Sequence, residues 1–412
     1  MRKMLALCIC AMLLLCSCSN TSDSGQFGTS DYLSDYDVPL GFNQGLLRFC
    51  RSDDIYYSII PADTGSRIMF SDPKSGISGC LCSRPECLHN NADCGAYVLS
   101  SHGSGLQVYD GYLYFVATDP NDALKKCIYR EALDGTARTE IKTLPAQSYE
   151  FNSDMYTQFH RGYCYFAGVK NMVDGATQSY IVSIAAEELS KSKESLQIFN
   201  KDYAAEFLSF RMQIIGTKIY YEVSTAERKQ ANAFEYENCK IELYCYDIIS
   251  RKSETIYNGE VPIAAKEIWI EPEKCMYFTA IDGSDAIYSL DFASGETSLL
   301  FEVSDSDQAA LPFLGDNLAI TIADGKIIVK DFSGSILLEK DVTKTESNFS
   351  DGAFGVGRMY AASDDEYIYY SYNTLKSFAA YPLDGSEPVI LWQSEKTEMP
   401  AVPEIVKPAK GK

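Results

Sequence analysis

Hydrophobic and polar positions along the chain follow a short grammar that returns seven times. An acidic or glycine turn precedes a brief run dominated by aromatic and aliphatic residues. The copies are Asp54-Ile-Tyr-Tyr57, Gly111-Tyr-Leu-Tyr-Phe115, Gly162-Tyr-Cys-Tyr-Phe166, Gly216-Thr-Lys-Ile-Tyr-Tyr221, Glu273-Lys-Cys-Met-Tyr-Phe278, Gly315-Asp-Asn-Leu-Ala-Ile320 and Asp365-Glu-Tyr-Ile-Tyr-Tyr370. Successive copies start 42 to 57 residues apart. A second strand follows each marker, as in Leu243-Tyr-Cys-Tyr-Asp247. An Asp/Ser-Gly turn then leads into a third, as in Ser294-Gly-Glu296 before Thr297-Ser-Leu-Leu-Phe301. Strand, short polar turn and strand form the signature of a β-hairpin.

Each hairpin set carries apolar residues on two faces and cannot bury both alone. Radial stacking around an axis buries both and leaves only short edges. A period of about 50 residues suits one four-stranded propeller blade. The chain therefore reads as all-β, a β-propeller with seven blades over residues 40–395. Six or eight blades remain open, because the 42-residue interval has room for a missing strand and closure can borrow strands from both ends. The most helix-like stretch, residues 185–196, reads as a short excursion between strands. Residues 191–210 and 225–240 read as insertions on a rim.

The first residues follow a different pattern. Arg2 and Lys3 precede an apolar run over residues 5–15, too short to span a bilayer, which ends in Leu15-Cys16-Ser17-Cys18. This resembles a bacterial lipoprotein signal, with small Ser17 at the cleavage point and Cys18 as the lipid acceptor. Residues 1–17 are then a signal peptide and 18–39 a polar, flexible tether. Acyl chains contribute about 0.8 kcal/mol per buried methylene, enough in combination to hold the chain at the membrane. Residues 396–412, with clustered prolines and lysines, read as a disordered tail. The expected location is the extracytoplasmic side of the cell membrane.

Charge narrows the partners. The formal net charge is −21, and losing a leader with Arg2 and Lys3 makes it more negative. That disfavours nucleic acid and anionic lipid head groups, which are held by clustered Lys and Arg. Tyrosine is abundant at 29 residues against 2 tryptophans, which fits pleated, half-buried surfaces. A monomer is expected.

The most distinctive chemistry lies at residues 79–97. Cys80, Cys82, Cys87, His89 and Cys94 fall within a turn-rich loop that also holds Pro85, Asn90, Asn91 and Gly95. The spacing Cys-x4-Cys-x-His-x4-Cys at Cys82, Cys87, His89 and Cys94, placed after a hairpin near the start of the repeats, resembles an insert in β-propeller lipoproteins of anaerobic Firmicutes that carry a domain of unknown function. The resemblance implies location and fold and brings no reaction with it. Three readings of the loop stay open: disulfide staples, a tetrahedral Cys3His set for structural zinc, or reduced thiols. His89 separates them, since a staple has no use for an imidazole. Cys164, Cys245 and Cys275 sit in strands as core residues. Cys239 and Cys245 could pair across a bend, and Cys50 could serve ring closure.

A nucleophile elbow in a strand–helix setting and a phosphate loop are both missing. Gly352-Ala-Phe-Gly-Val-Gly357 reads as a loop, and His102 and His160 as isolated surface or packing residues. Asp282-Gly-Ser-Asp285 and Asp324-Gly325 read as hairpin turns before calcium ligands. The expected function is a non-catalytic binding module for a protein, peptide or glycan. The alternative is an extracytoplasmic polysaccharide hydrolase or lyase with carboxylates near the channel.

Overall fold

The computed structural model describes residues 49–393, apart from connecting stretches of which 145–155, 310–317 and 342–359 are the longest. The leader, Cys18, the tether, the tail, His102, the 352–357 glycine loop and the Asp282 and Asp324 turns lie outside the described residues. Among the described residues all regular structure is β-strand, arranged as seven antiparallel meanders of four strands in chain order. The first sheet comprises Phe49–Ser52, Ile55–Ala62, Gly65–Asp72 and Ile77–Cys80, with Tyr97–Val98 paired onto Gly65–Asp72. The second comprises Gln107–Tyr109, Tyr112–Asp119, Asp122–Ala132 and Arg138–Thr143. The third comprises Tyr156–His160, Tyr163–Asp174, Thr177–Glu188 and Ser195–Ala204, and the fourth Phe207–Ile215, Lys218–Arg228, Tyr236–Asp247 and Lys252–Glu260. The last three sheets occupy 265–301, 308–341 and 360–393.

Every aromatic marker forms the second strand of its sheet, and its period-2 alternation supplies two cores at once. Leu113 and Phe115 pack toward the first sheet, while Tyr114 and Val116 pack toward the third. Cys164 and Phe166 face the second sheet, and Tyr163 and Tyr165 face the fourth. Phe115 is fully buried, and burial of such a side chain stabilises by roughly 1.5–3 kcal/mol. The two ends of the series also meet. Phe49 and Tyr56 share a core with Ala380 and Leu391 of the seventh sheet, and the Arg51 guanidinium lies 5.4 Å from the Tyr367 ring centroid.

Turn chemistry follows strand position. Asp110-Gly111 and Arg161-Gly162 both have positive φ at consecutive residues (48° and 72°, 46° and 82°), the geometry of two-residue hairpins whose twist matches the strands. Between third and fourth strands an aspartate caps the turn instead. Asp134, Asp291, Asp331 and Asp384 each accept a backbone N–H from a Ser or Thr two or three residues on. Hydrogen bonds from those turn residues hold all four carboxyls below the usual carboxylate range.

Three expectations change. Residues 185–188 complete the strand Thr177–Glu188 and Ser195 opens the next, because pairing with Tyr163–Asp174 and burial of Ala186 override local helix propensity. Residues 225–240 are no rim insertion on their inner parts: Thr225 pairs with Lys240 and Arg228 with Tyr236, extending the hairpin. Most of 191–210 is likewise strand, in Ser195–Ala204 and Phe207–Ile215. The sheet of the 42-residue interval has its full four strands.

Polar side chains tie adjacent sheets together. The first strands of neighbouring sheets are not paired with one another among the described residues, and at two of these junctions a glutamine amide bridges them. Gln107 donates to Phe159 O (2.7 Å) and accepts from Phe159 N (2.9 Å). Gln213 does the same with Ile270 (3.2 and 3.1 Å). Lys142 pairs with buried Glu187 across the second and third sheets at 2.5 Å.

Glu242 is the hub between the third and fourth sheets. It accepts from Lys201 (2.7 Å), Tyr203 (2.8 Å), Tyr244 (2.7 Å) and Lys240 (2.9 Å). Burial pushes its pKa up, but the four donors together bring it down to about 2. A carboxyl depressed on folding contributes stability above its unfolded pKa and loses it as pH falls through the folded value. Glu242→Gln is therefore expected to flatten the acid limb between about pH 4.5 and 2, read as urea midpoint against pH. An unchanged slope would remove Glu242 from the acid response.

Glu222 behaves oppositely. It is fully buried, both carboxylate oxygens lack hydrogen-bond partners, and Arg211 stands opposite it in the register. Burial drives its pKa well above the ordinary value despite Arg211. The folded state keeps a proton that the unfolded chain releases above about pH 4.3, so this group costs more stability as pH rises. Glu222→Met is expected to raise stability at pH 8 by about 1–3 kcal/mol and to have less effect at pH 4. A loss at pH 8 in chemical denaturation would refute this.

Candidate metal centre

The Cys/His loop grows out of a single outer strand. Ile77–Cys80 pairs with one half of Gly65–Asp72, from Asp72↔Ile77 to Met69↔Cys80. Tyr97–Val98 pairs with the other half, at Arg67 and Ser66. Ile68 joins them: its carbonyl accepts Leu81 N (2.9 Å) and its own N–H donates to Ala96 O (2.8 Å). Residues 82–95 are thus looped out of the middle of an edge strand on the outside of the first sheet.

Tight turns fold the loop back on itself. Cys87 N donates to Arg84 O, Cys94 N to Asn91 O and Asp93 N to Asn91 Oδ1. His89 takes a left-handed conformation (φ 53°), uncommon for a residue with a side chain. The outcome is convergence of the Cys82, Cys87 and Cys94 sulfurs with a His89 ring nitrogen, all within 4.8 Å of one another. His89 Nδ1 lies 3.2 Å from Cys94 Sγ. Cys94 is buried and the other three are half-buried. Cys80 stays outside the set, with its sulfur 3.6 Å from Met69 Sδ.

These donors fit a thiophilic divalent ion. Tetrahedral zinc with bonds of about 2.3 Å to sulfur and 2.0 Å to nitrogen places its ligand atoms about 3.4–3.8 Å apart, inside the 4.8 Å span that the four atoms already share. The electrostatics agree. The His89 backbone N–H, Cys94, Arg84 and Cys82 lower the Cys87 thiol to about 7. Burial, then Arg67 and Arg84, lower the His89 pKa and keep the imidazole neutral, as a ligand must be. Burial raises Cys94 to about 12, the thiol for which ligation to a cation brings the largest change. All ten described cysteines, these included, carry unbonded sulfurs.

Arg138 docks the loop against the second sheet. It donates twice to Glu131 Oε2 (2.8 and 2.7 Å), to Tyr97 O (2.5 Å) and to Gly95 O. Its guanidinium lies 4.9 Å from the Phe115 ring centroid. Gly135 (φ 71°) lies so close that a Cβ there would sit 2.6 Å from Leu81 O. On the loop side, Arg67 Nε donates to His89 O at 3.1 Å.

The other sequence candidates scatter. Cys50 and Cys164 are buried in separate strands, while Cys239 and Cys245 are buried in one strand, Tyr236–Asp247, with no turn to bring them together, and remain unpaired thiols. His160 is buried, with Nε2 2.6 Å from Gly216 O. The fold also collects Asp119, Cys127 and Glu140, a grouping that sequence reading missed because the three lie on separate strands with no local motif. There Cys127 contacts Thr143 Oγ1 (3.8 Å), which donates to Glu140 (3.1 Å).

No family model and no curated protein matches this chain. Solved structures do. A puromycin hydrolase mutant complexed with PGG is similar over 88% of this chain and 57% of its own, at 11% identity and TM-score 0.53. An oligogalacturonate lyase in complex with manganese is similar over 85% of this chain and 88% of its own, at 10% identity and TM-score 0.45. A Mycobacterium tuberculosis puromycin-hydrolyzing peptidase is similar at 12% identity and TM-score 0.48, over 90% of this chain and 56% of its own. This chain thus spans little more than half of the two puromycin-hydrolysing proteins. At such identities the likeness concerns the fold, which is β-propeller-like and all-β.

Proposed function

We propose that this chain is a lipoprotein held through Cys18 on the extracytoplasmic side of the cell membrane. Its seven sheets close as a seven-bladed propeller and act as a non-catalytic binding module for a protein, peptide or glycan. The meeting of the first and seventh sheets supports closure, and the order of charged, apolar and cysteine-bearing segments in the leader supports anchoring. Zinc on Cys82, Cys87, His89 and Cys94 is the structural element in this reading. Four protein ligands leave no open coordination position for a substrate, and a bound ion supplies folding free energy to the loop.

The observation that carries the non-catalytic reading is the placement of the carboxylates. Glu131, Glu187 and Glu242 are buried between sheets, on Arg138, Lys142, and Lys201 with Lys240. The turn aspartates are engaged by their own backbone amides. These acids hold the scaffold, and a rigid scaffold displaying loops suits recognition. Capture from cross-linked cells carrying the tagged, full-length lipoprotein tests it, with one ligand expected to be recovered by wild type and lost with loop substitutions. Turnover of a polysaccharide by the purified chain, abolished by a single carboxylate substitution, would replace this reading with the hydrolase or lyase.

A further inference from the structure

His89 is the nitrogen donor of the converging set, and its backbone sits in the left-handed region at φ 53°. That conformation is disfavoured for a residue with a Cβ, and it persists where surrounding contacts fix it. The ring meets Cys94 Sγ through Nδ1 at 3.2 Å. Only Cβ and Cγ separate Nδ1 from Cα, so its place follows the His89 backbone closely. The first sheet supplies a contact that fixes this backbone. Ile68 is buried in the core shared with the second sheet, so alternation puts Arg67 and Met69 on the opposite face. On that face Met69 Sδ meets Cys80 Sγ, and Arg67 Nε donates to His89 O at 3.1 Å. Arg67 is itself held by ladder pairing with Ile60 on one side and Tyr97 on the other. Its hydrogen bond joins the middle of the loop to the strand on which both ends of the loop pair.

We propose that Arg67 is a positioning residue: it holds the His89 backbone so that the imidazole completes a metal site with the sulfurs of Cys82, Cys87 and Cys94. The inference rests on the zinc reading above. Arg67 acts through the His89 carbonyl, one step removed from the ligand atoms. Partners that orient a ligating histidine act on metal affinity without touching the ion. The nitrogen ligand is then in place only when the strand Gly65–Asp72 has formed, which ties metal loading to the folding of the first sheet.

The experiment uses the full-length chain titrated with cobalt(II) under reducing, anaerobic conditions. Cobalt takes the same donors as zinc, and its visible bands report which ligands surround it. His89→Ala supplies the reference spectrum of a site without the imidazole. Arg67→Met keeps an apolar stem and drops the donor. It is expected to weaken cobalt binding by about 10- to 100-fold and to move the bands towards those of His89→Ala. Arg67→Ala carries the same expectation and serves as a second variant should the first misfold, with circular dichroism of the metal-free protein as the check. Arg67→Lys keeps a donor and is expected to return the wild-type bands. Wild-type bands in the methionine or alanine variant overturn the proposal, even where affinity falls, because the imidazole is then held without Arg67. Bands of the wild-type protein that match those of His89→Ala overturn it too, since His89 is then no ligand. Wild-type protein taking up less than about a tenth of an equivalent of cobalt overturns the metal reading instead, a separate and distinguishable failure.

Discussion

Arg138→Ala is expected to destabilise the protein by about 3–5 kcal/mol, among the largest effects of any single substitution here. Glu131 is fully buried, and its Oε2 takes both bonds from Arg138 while its Oε1 has no partner. Truncating the arginine leaves the Glu131 carboxyl, whose pKa burial already pushes up to about 7, without its only hydrogen-bond donor in the core, together with the carbonyls of Gly95 and Tyr97. It also removes the cation from the face of Phe115. Denaturant unfolding reads the loss, and a cost below about 1 kcal/mol would show that the pair contributes little. The double variant Arg138→Met with Glu131→Leu is expected to recover much of the loss, because replacing both partners strands no charge. Because Arg138 also holds the end of the Cys/His loop, zinc affinity should fall in the single variant as well.

Cys94→Ala is expected to abolish zinc binding and to lower unfolding stability by about 4 kcal/mol when free zinc stands a thousandfold above the wild-type dissociation constant. Cys94 is the buried member of the set and the partner of His89 Nδ1. The matched control is Cys80→Ser, which should keep a full equivalent of metal because Cys80 lies outside the converging group. Equal metal loss in both would show that the ligand set is wrongly drawn. Chelator and reductant give the complementary test on wild-type protein. A chelator should lower its melting temperature and a thiol reductant should not, whereas a stapled loop would respond in the reverse order.

The aromatic markers were legible before any coordinates. Leu113, Tyr114 and Phe115 announce by alternation a strand buried on both faces, and the hairpin turn at Asp110-Gly111 is written in its residue types, whereas Arg161 at positive φ is not. The candidate site was half legible. The spacing of Cys82, Cys87, His89 and Cys94 selected four of the five nearby ligand types, and the structure gathers those four and leaves Cys80 aside. Nothing in the spacing said that the loop splits an outer strand, since that depends on Ile68 bonding to both Leu81 and Ala96. The reading of residues 185–196 as an excursion between strands was too wide: residues 185–188 and 195–196 are strand, because a local helix propensity of a few tenths of a kcal/mol per residue is small beside a ladder with Tyr163–Asp174.

Sequence alone determined the repeat, the all-β class and the strand faces, because side-chain alternation is set by backbone geometry and needs no distant partner. Tertiary structure decided which groups meet: Gln107 with Phe159, Arg138 with Glu131 and Tyr97, and Cys82, Cys87 and Cys94 with His89. Those meetings depend on where separate stretches of chain arrive when sheets pack, and burial then sets what each charge is worth.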